Sequence, residues 1–184
     1  MANIMTKAAL RDTLKQRLQA LPKKTEKSQA ICLALKAWLA IHQPTTLGAF
    51  SPTPTEPNIW PLVEEIQNQI PIVLPRFHPK SGQYEWAHCT GPLVKGPFGI
   101  LEPPPTAASA PAPNWCWVPA VGIDNNGCRL GWGHGFYDRL LNPQAMHRVG
   151  VVFHCQRVPH IPSDPWDVAL TDVVCEITDP APIT

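Results

Sequence analysis

No stretch of this 184-residue chain approaches the roughly 18 consecutive apolar residues needed to cross a bilayer. The opening residues, MANIMTKAALRDTLKQRL, also lack the apolar core of a secretion signal. A cytoplasmic location without a membrane partner is therefore expected. Charge of one sign is missing too: 15 Lys and Arg stand against 14 Asp and Glu, for a net charge of +1. No global field then recruits nucleic acid or an anionic surface, and a ligand has to be recognised locally. Cys32, Cys89, Cys116, Cys128, Cys155 and Cys175 contain no C-x-x-C pair, and His78, His88, His154 and His160 show no metal-ligand spacing. Neither a disulfide framework nor a zinc site is expected. No internal repeat of fixed period is present.

Proline, by contrast, is abundant at 23 residues, and the tract EPPPTAASAPAP from Glu102 to Pro113 excludes a helix or a central strand. An extended surface connector without a catalytic role is expected there. A hydrophobic content of 44% suits one well-buried core, so residues 1–184 are read as a single domain. Leu10, Leu14, Leu18 and Leu21 recur at helical spacing and predict a helix from Thr6 to Leu21, capped by Thr6, with Lys7 and Arg11 on one face. A second helix is predicted from Ser28 to Ile41, capped by Ser28, with Ile31, Leu35, Trp38 and Leu39 inward. Leu47 to Phe50 reads as a short strand. The helix that follows runs to Gln69, with Trp60, Val63 and Ile66 buried and Pro57 and Pro61 near its first turn. Further strands are expected at Pro71–Phe77, Tyr84–Cys89, Trp115–Ile123, Arg148–Phe153 and Val173–Ile177. This alternation predicts an α/β fold with a mostly parallel central sheet flanked by helices and a ligand site at the carboxyl ends of strands.

The segment richest in chemistry is VPAVGIDNNGCRLGWGHGFYDRLL, from Val118 to Leu141. Gly131, Gly133 and Gly135 let the backbone bring several N–H groups close to an anion, and Phe136 to Leu141 reads as a short helix behind them. Arg129 and Asp138 bracket the loop with a cation for phosphate and a hard oxygen for a divalent metal. The pattern is neither a Walker A motif nor a dinucleotide fingerprint, and on the residues alone a simple chain reversal stays open. Asp138 could equally pair with Arg129 or Arg139. Glu56 sits in a Pro-rich turn at a helix start, and Arg76, at a strand end, is a candidate receiver of a carboxylate tail.

The order K-x-x-L-R near the start, an acid after the first strand, then G-x-D-x-x-G-x-R-L-G-x-G-x-G-[FY]-Y-D-R and a late Gln and Asp resembles the 5-formyltetrahydrofolate cyclo-ligases, also called methenyltetrahydrofolate synthetases. The resemblance spans the whole chain. It implies an ATP- and Mg2+-dependent cyclisation of 5-formyltetrahydrofolate, with or without a polyglutamate tail, to 5,10-methenyltetrahydrofolate. The family's nucleotide-binding positions fall on Lys7, Arg11, Arg129, Leu130, Gly131, Trp132, Gly133, His134, Gly135, Phe136 and Tyr137, with Arg129 and Tyr137 in catalytic roles. Its magnesium carboxylates fall on Asp138 and Asp167, the latter in a segment that begins at Gln156 and passes through Pro162. Its folate-binding acid falls on Glu56, and Arg76 is the residue expected to meet the glutamate tail. A monomer is expected. The chain departs from the family at Trp132 and His134, where Arg or Lys is common, at Phe136, where many members have Tyr, and at Thr171, where an acid is common. The alternative is a non-catalytic folate- or nucleotide-binding protein on the same scaffold.

Overall fold

The computed structural model describes residues 5–141 and 146–176. In chain order the elements are α1 (Lys7–Ala20), α2 (Lys24–His42), β1 (Leu47–Gly48), α3 (Trp60–Ile66), β2 (Ile72–His78), β3 (Gln83–His88), β4 (Val94–Lys95) and β5 (Leu101–Glu102). They continue with β6 (Trp115–Val118), β7 (Gly122–Asp124), β8 (Arg129–Leu130), α4 (Phe136–Leu140), β9 (His147–Val151), a 3-10 turn (His154–Gln156), β10 (Arg157–Val158) and β11 (Asp172–Val174). Six strands form the main sheet in the order β11-β9-β6-β1-β2-β3. All its neighbouring strands run parallel except β2 and β3. A smaller sheet, ordered β10-β7-β8, and the β4–β5 pair complete the strands.

Parallel strands covered on both faces carry continuous apolar runs. Here Cys116, Trp117 and Val118 of β6 and Val149 and Val151 of β9 have no exposed surface. Ile31, Leu35 and Trp38 of α2 pack on this sheet, and Leu18 of α1 joins them. Leu14 and Leu10, one and two turns earlier, instead cover the smaller sheet with Val121, Leu130 and Val158. The leucine stripe of α1 thus bridges two sheets, with Thr6 capping it by accepting from the Ala9 N–H.

Several predicted boundaries change. The second helix begins at Lys24, after Lys23 in a left-handed conformation, so Ser28 is not its cap. Ser28 is buried inside the helix, and its Oγ accepts the Asn58 N–H at 3.0 Å. Trp60 is half-buried, with its indole N–H on Glu64. The expected strand from Trp115 to Ile123 is two strands in two sheets, because Pro119 lacks the N–H that a ladder needs and the chain crosses over there. The last residue of the expected Val173–Ile177 strand, Ile177, lies outside the described residues. The Pro-rich connector is bound along β3, with the Ala110 N–H on the Trp86 carbonyl and the His88 N–H on the Ala108 carbonyl. Cys116, on β6, is fully buried, and Cys32, Cys89, Cys128 and Cys155 are half-buried. Among the described residues no helix is long and apolar enough to cross a membrane.

The crossover is held by Gln156, which is fully buried. Its Nε2 donates to the Ala120 carbonyl at 2.5 Å and its Oε1 accepts the Phe153 N–H at 2.7 Å. Leucine at this position leaves buried backbone groups without partners, each costing about 1–3 kcal/mol. Gln156→Leu is expected to lower unfolding free energy by about 2–4 kcal/mol in urea titrations. A variant as stable as the parent removes Gln156 as the fastening of the crossover.

Candidate active site

A cavity of about 970 Å3 opens beyond the ends of β1 and β6, where Phe50, Ser51 and Pro119 line it. Its remaining walls come from α1, the turn carrying Glu56, the glycine loop with α4, the 164–167 segment, the β4–β5 hairpin, and Pro75 and Tyr84 of β2 and β3. Every residue predicted for the site lines this cavity except Arg76. That arginine is buried and turned toward the connector: it donates to Glu85, Ser109 Oγ and the carbonyls of Pro104 and Ala107. Its strand-end position suggested an exposed cation, but the connector folds over it.

The glycines of the loop have distinct reasons. Gly133 and Gly135 sit at φ of 109° and 64°, where side chains are strained. A Cβ at Gly131 would lie 2.9 Å from Arg129 Nη1, so its absence lets the guanidinium lie against the backbone. Arg129, on β8, donates from Nη2 to Asp138 Oδ1 at 2.8 Å, and its Cζ lies 5.5 Å from the Tyr137 ring centre. Its Nε is buried without a partner among the described residues, a donor left to be satisfied. The helix behind the loop, α4, is five residues long, so the dipole expected of it is small.

α1 delivers two cations from one face. Arg11 donates to the Gly131 carbonyl at 2.8 Å and thereby ties the helix to the loop. Lys7 donates to Asp164 at 2.6 Å and to Asp167 at 2.5 Å. Burial opposes the Lys7 charge, but the hydrogen bonds to Asp164 and Asp167 outweigh it and hold the ammonium above the usual lysine range. Asp164 was not anticipated, although the repeated acid in SDPWD places two carboxylates three residues apart. Asp164 and Asp167 converge on a single cationic point on the cavity wall. Among the described residues no cluster of three or more His, Cys, Asp or Glu could hold a metal unaided, so oxygens from a ligand would have to complete its shell.

Glu56 differs from the other acids. It is 8% exposed, and among the described residues no ion pair reaches it. Burial pushes its carboxyl above the ordinary value of 4.5, against the hydrogen bonds from Thr53 and Trp132. The Trp132 indole N–H reaches Glu56 Oε1 at 3.3 Å, and Lys15 Nζ stands 5.6 Å from the Trp132 ring centre. Trp132 therefore addresses the acid of the site, a contact across 76 positions that local sequence could not reveal. His134 lies parallel to Phe136 at 5.5 Å and joins an aromatic wall with Tyr84 and Phe98. Phe98, Trp132 and Trp166 remain among the exposed apolar side chains, all on the cavity. Burial drives the Tyr137 phenol well upward, so it stays a neutral hydroxyl.

A carboxyl raised by folding contributes stability below its unfolded pKa and loses that contribution as pH rises through the folded one. Glu56→Gln removes this titration. Melting curves are expected to shift progressively in favour of the variant, relative to the parent, as pH rises from the ordinary carboxylate range toward and past neutrality. A constant difference across that range contradicts an unpaired, buried Glu56.

Comparison with known proteins matches residues 3–176 to the 5-formyltetrahydrofolate cyclo-ligase family. A 5-formyltetrahydrofolate cyclo-ligase of Mycolicibacterium smegmatis is 31% identical over 182 residues, covering 92% of this chain and 93% of that one. The solved structure of Aquifex aeolicus 5,10-methenyltetrahydrofolate synthetase superposes with a TM-score of 0.81 at 26% identity, over 94% of this chain and 90% of that one. A second, a 5,10-methenyltetrahydrofolate synthetase from Mycoplasma pneumoniae, shares the fold with a TM-score of 0.77 at 23% identity, over 94% of this chain and all of that one. With the parallel sheet, the glycine loop and the cavity between them in place, the chain belongs to the 5-formyltetrahydrofolate cyclo-ligase family.

Proposed function

We propose that the cavity binds MgATP and 5-formyltetrahydrofolate together and joins N10 of the folate to its own formyl carbon, giving 5,10-methenyltetrahydrofolate, ADP and phosphate. The observation that carries this reading is the pairing, in one cavity, of three cations around a glycine loop with a buried, cation-free carboxyl and an aromatic wall. The cations suit a polyphosphate and the carboxyl suits the N–H edge of a pterin. Membership of the family supports the combination.

In the proposed reaction the N5 formyl oxygen attacks the γ-phosphoryl group and ADP leaves, then N10 closes on the activated carbon, giving its proton to solvent, and phosphate leaves. No protein nucleophile is needed, so the chain contributes positioning and charge stabilisation. Lys7, Arg11 and Arg129 would hold phosphate oxygens, with the free Nε of Arg129 as one more donor. Tyr137, kept neutral, would donate a hydrogen bond without adding negative charge. Glu56, steadied by Trp132 and the Thr53 N–H, would accept the pterin N–H groups.

The residues present fit magnesium: Asp164 and Asp167 already meet a cation between hard oxygens, and Asp138 is a further carboxylate on the same cavity. When bound, magnesium neutralises charge on the β- and γ-phosphate oxygens. The non-catalytic alternative drew on the missing cations at positions 132 and 134. Lys7, Arg11 and Arg129 still supply three positive charges to the cavity, so that loss does not disarm it.

Purified protein with MgATP and 5-formyltetrahydrofolate is expected to develop the near-ultraviolet absorbance of the methenyl product and to release ADP in equal amount. No absorbance change at saturating substrates overturns the reading, and folate binding without ADP release favours the non-catalytic alternative. Asp138→Asn is expected to lower turnover about tenfold or more and to raise the magnesium needed for half-maximal rate. An unchanged magnesium titration removes Asp138 from the metal site.

A further inference from the structure

The cavity holds a second buried carboxyl that the reaction as described does not use. Glu102 ends β5, is 7% exposed and lines the cavity. Its Oε2 accepts the Phe77 N–H at 3.2 Å, while Oε1 has no hydrogen bond among the described residues. No ion pair reaches it there either, because the donors of Arg76, the nearby cation, are engaged by Glu85, Ser109 and two carbonyls. The hairpin makes room for this group: a Cβ on Gly96 would lie 2.5 Å from Oε2 and 2.9 Å from Oε1. Oε1 is thus an acceptor open to the cavity, where the backbone is shaped to admit the carboxyl and a donor on a bound ligand can reach it.

Its surroundings narrow that donor. Tyr84, whose phenol is pushed up to about 12 by burial and then by the charge of Glu102, stands beside it. Phe98 lies 6.4 Å from the Tyr84 ring and 5.2 Å from the Phe136 ring, so the carboxyl adjoins an aromatic shelf. The open Oε1 suits an N–H donor, and the aromatic shelf suits a donor carried next to an arene. In 5-formyltetrahydrofolate the pterin N–H groups are matched to Glu56. The remaining donor bonded to an arene is the N10–H of the p-aminobenzoyl group.

We propose that Glu102 is a second substrate-binding residue, whose Oε1 accepts the N10–H of the bound folate while its benzoyl ring rests on Tyr84, Phe98 and Phe136. This rests on the folate reading above. The hydrogen bond turns the N10 lone pair toward the formyl carbon, so Glu102 aligns the atom that closes the ring.

Two probes separate the possibilities: folic acid, which has N10–H, and N10-methylfolic acid, which lacks it, each titrated by quenching of tryptophan fluorescence. The parent protein is expected to prefer folic acid by about tenfold or more, the size of a charge-assisted hydrogen bond. Glu102→Gln can still serve the Phe77 N–H but turns a donor toward N10, so its preference is expected to fall to about twofold or less. Equal affinities in the parent, or a preference kept in full by Glu102→Gln, overturn the assignment of Glu102 and leave the folate site standing. If neither compound binds, the folate reading fails and the inference with it. Should the glutamine variant not fold, Glu102→Asp withdraws the carboxylate by one methylene, and an undiminished preference there also overturns the proposal.

Discussion

The structure turns on a constraint of charge. Cations and carboxylates brought to one partly buried cavity either neutralise each other or, like Glu56 and Glu102, are pushed by burial toward the neutral carboxyl, because an unpaired ion away from water costs several kcal/mol. Lys7 answers Asp164 and Asp167, and Arg129 answers Asp138. The Lys7 pairs join positions 157 and 160 residues apart, so the helix that opens the fold is clasped to the segment that nearly closes it. Arg11, through the Gly131 carbonyl, ties the same helix to the glycine loop. In the proposed function a polyanion and its metal exchange places with these internal partners, so that the residues that shape the cavity are also the ones that hold its ligand.

The sheet supplies the rigid side of this arrangement. Its central strand β1 is only two residues long, and Gly48 there lets Pro113 approach to where a Cβ would be 2.8 Å away. From that strand the chain leaves into the turn that carries Glu56, and from β6 it leaves at Pro119 for the smaller sheet that carries Arg129. The acid and the cation of the site thus stand on backbone fixed at neighbouring strand ends. The Trp132 indole joins the loop to Glu56 across the cavity.

Much of the fold was legible because its signals are local. The leucines of α1 and the apolar runs WCWV and RVGVV state helix and buried strand through spacing alone. The glycine loop was legible for the same reason, since its three glycines, Arg129 and Asp138 lie in one contiguous motif. What escaped depends on partners far along the chain. Ser28 looks like a cap until Asn58 claims its hydroxyl, and Arg76 looks exposed until the connector covers it. The Pro-rich tract looks inert because its composition says nothing of the carboxyl at its head or of the strand it lies along. Trp132 read as a lost phosphate contact, since only the folded chain brings Glu56 to it.

The exchange of partners can be observed directly by titrating ATP calorimetrically into the protein with and without magnesium. Metal and nucleotide sharing one site with Asp138, Asp164 and Asp167 predicts that magnesium strengthens ATP binding by about tenfold or more. Equal ATP affinity in the presence and absence of magnesium would contradict the account.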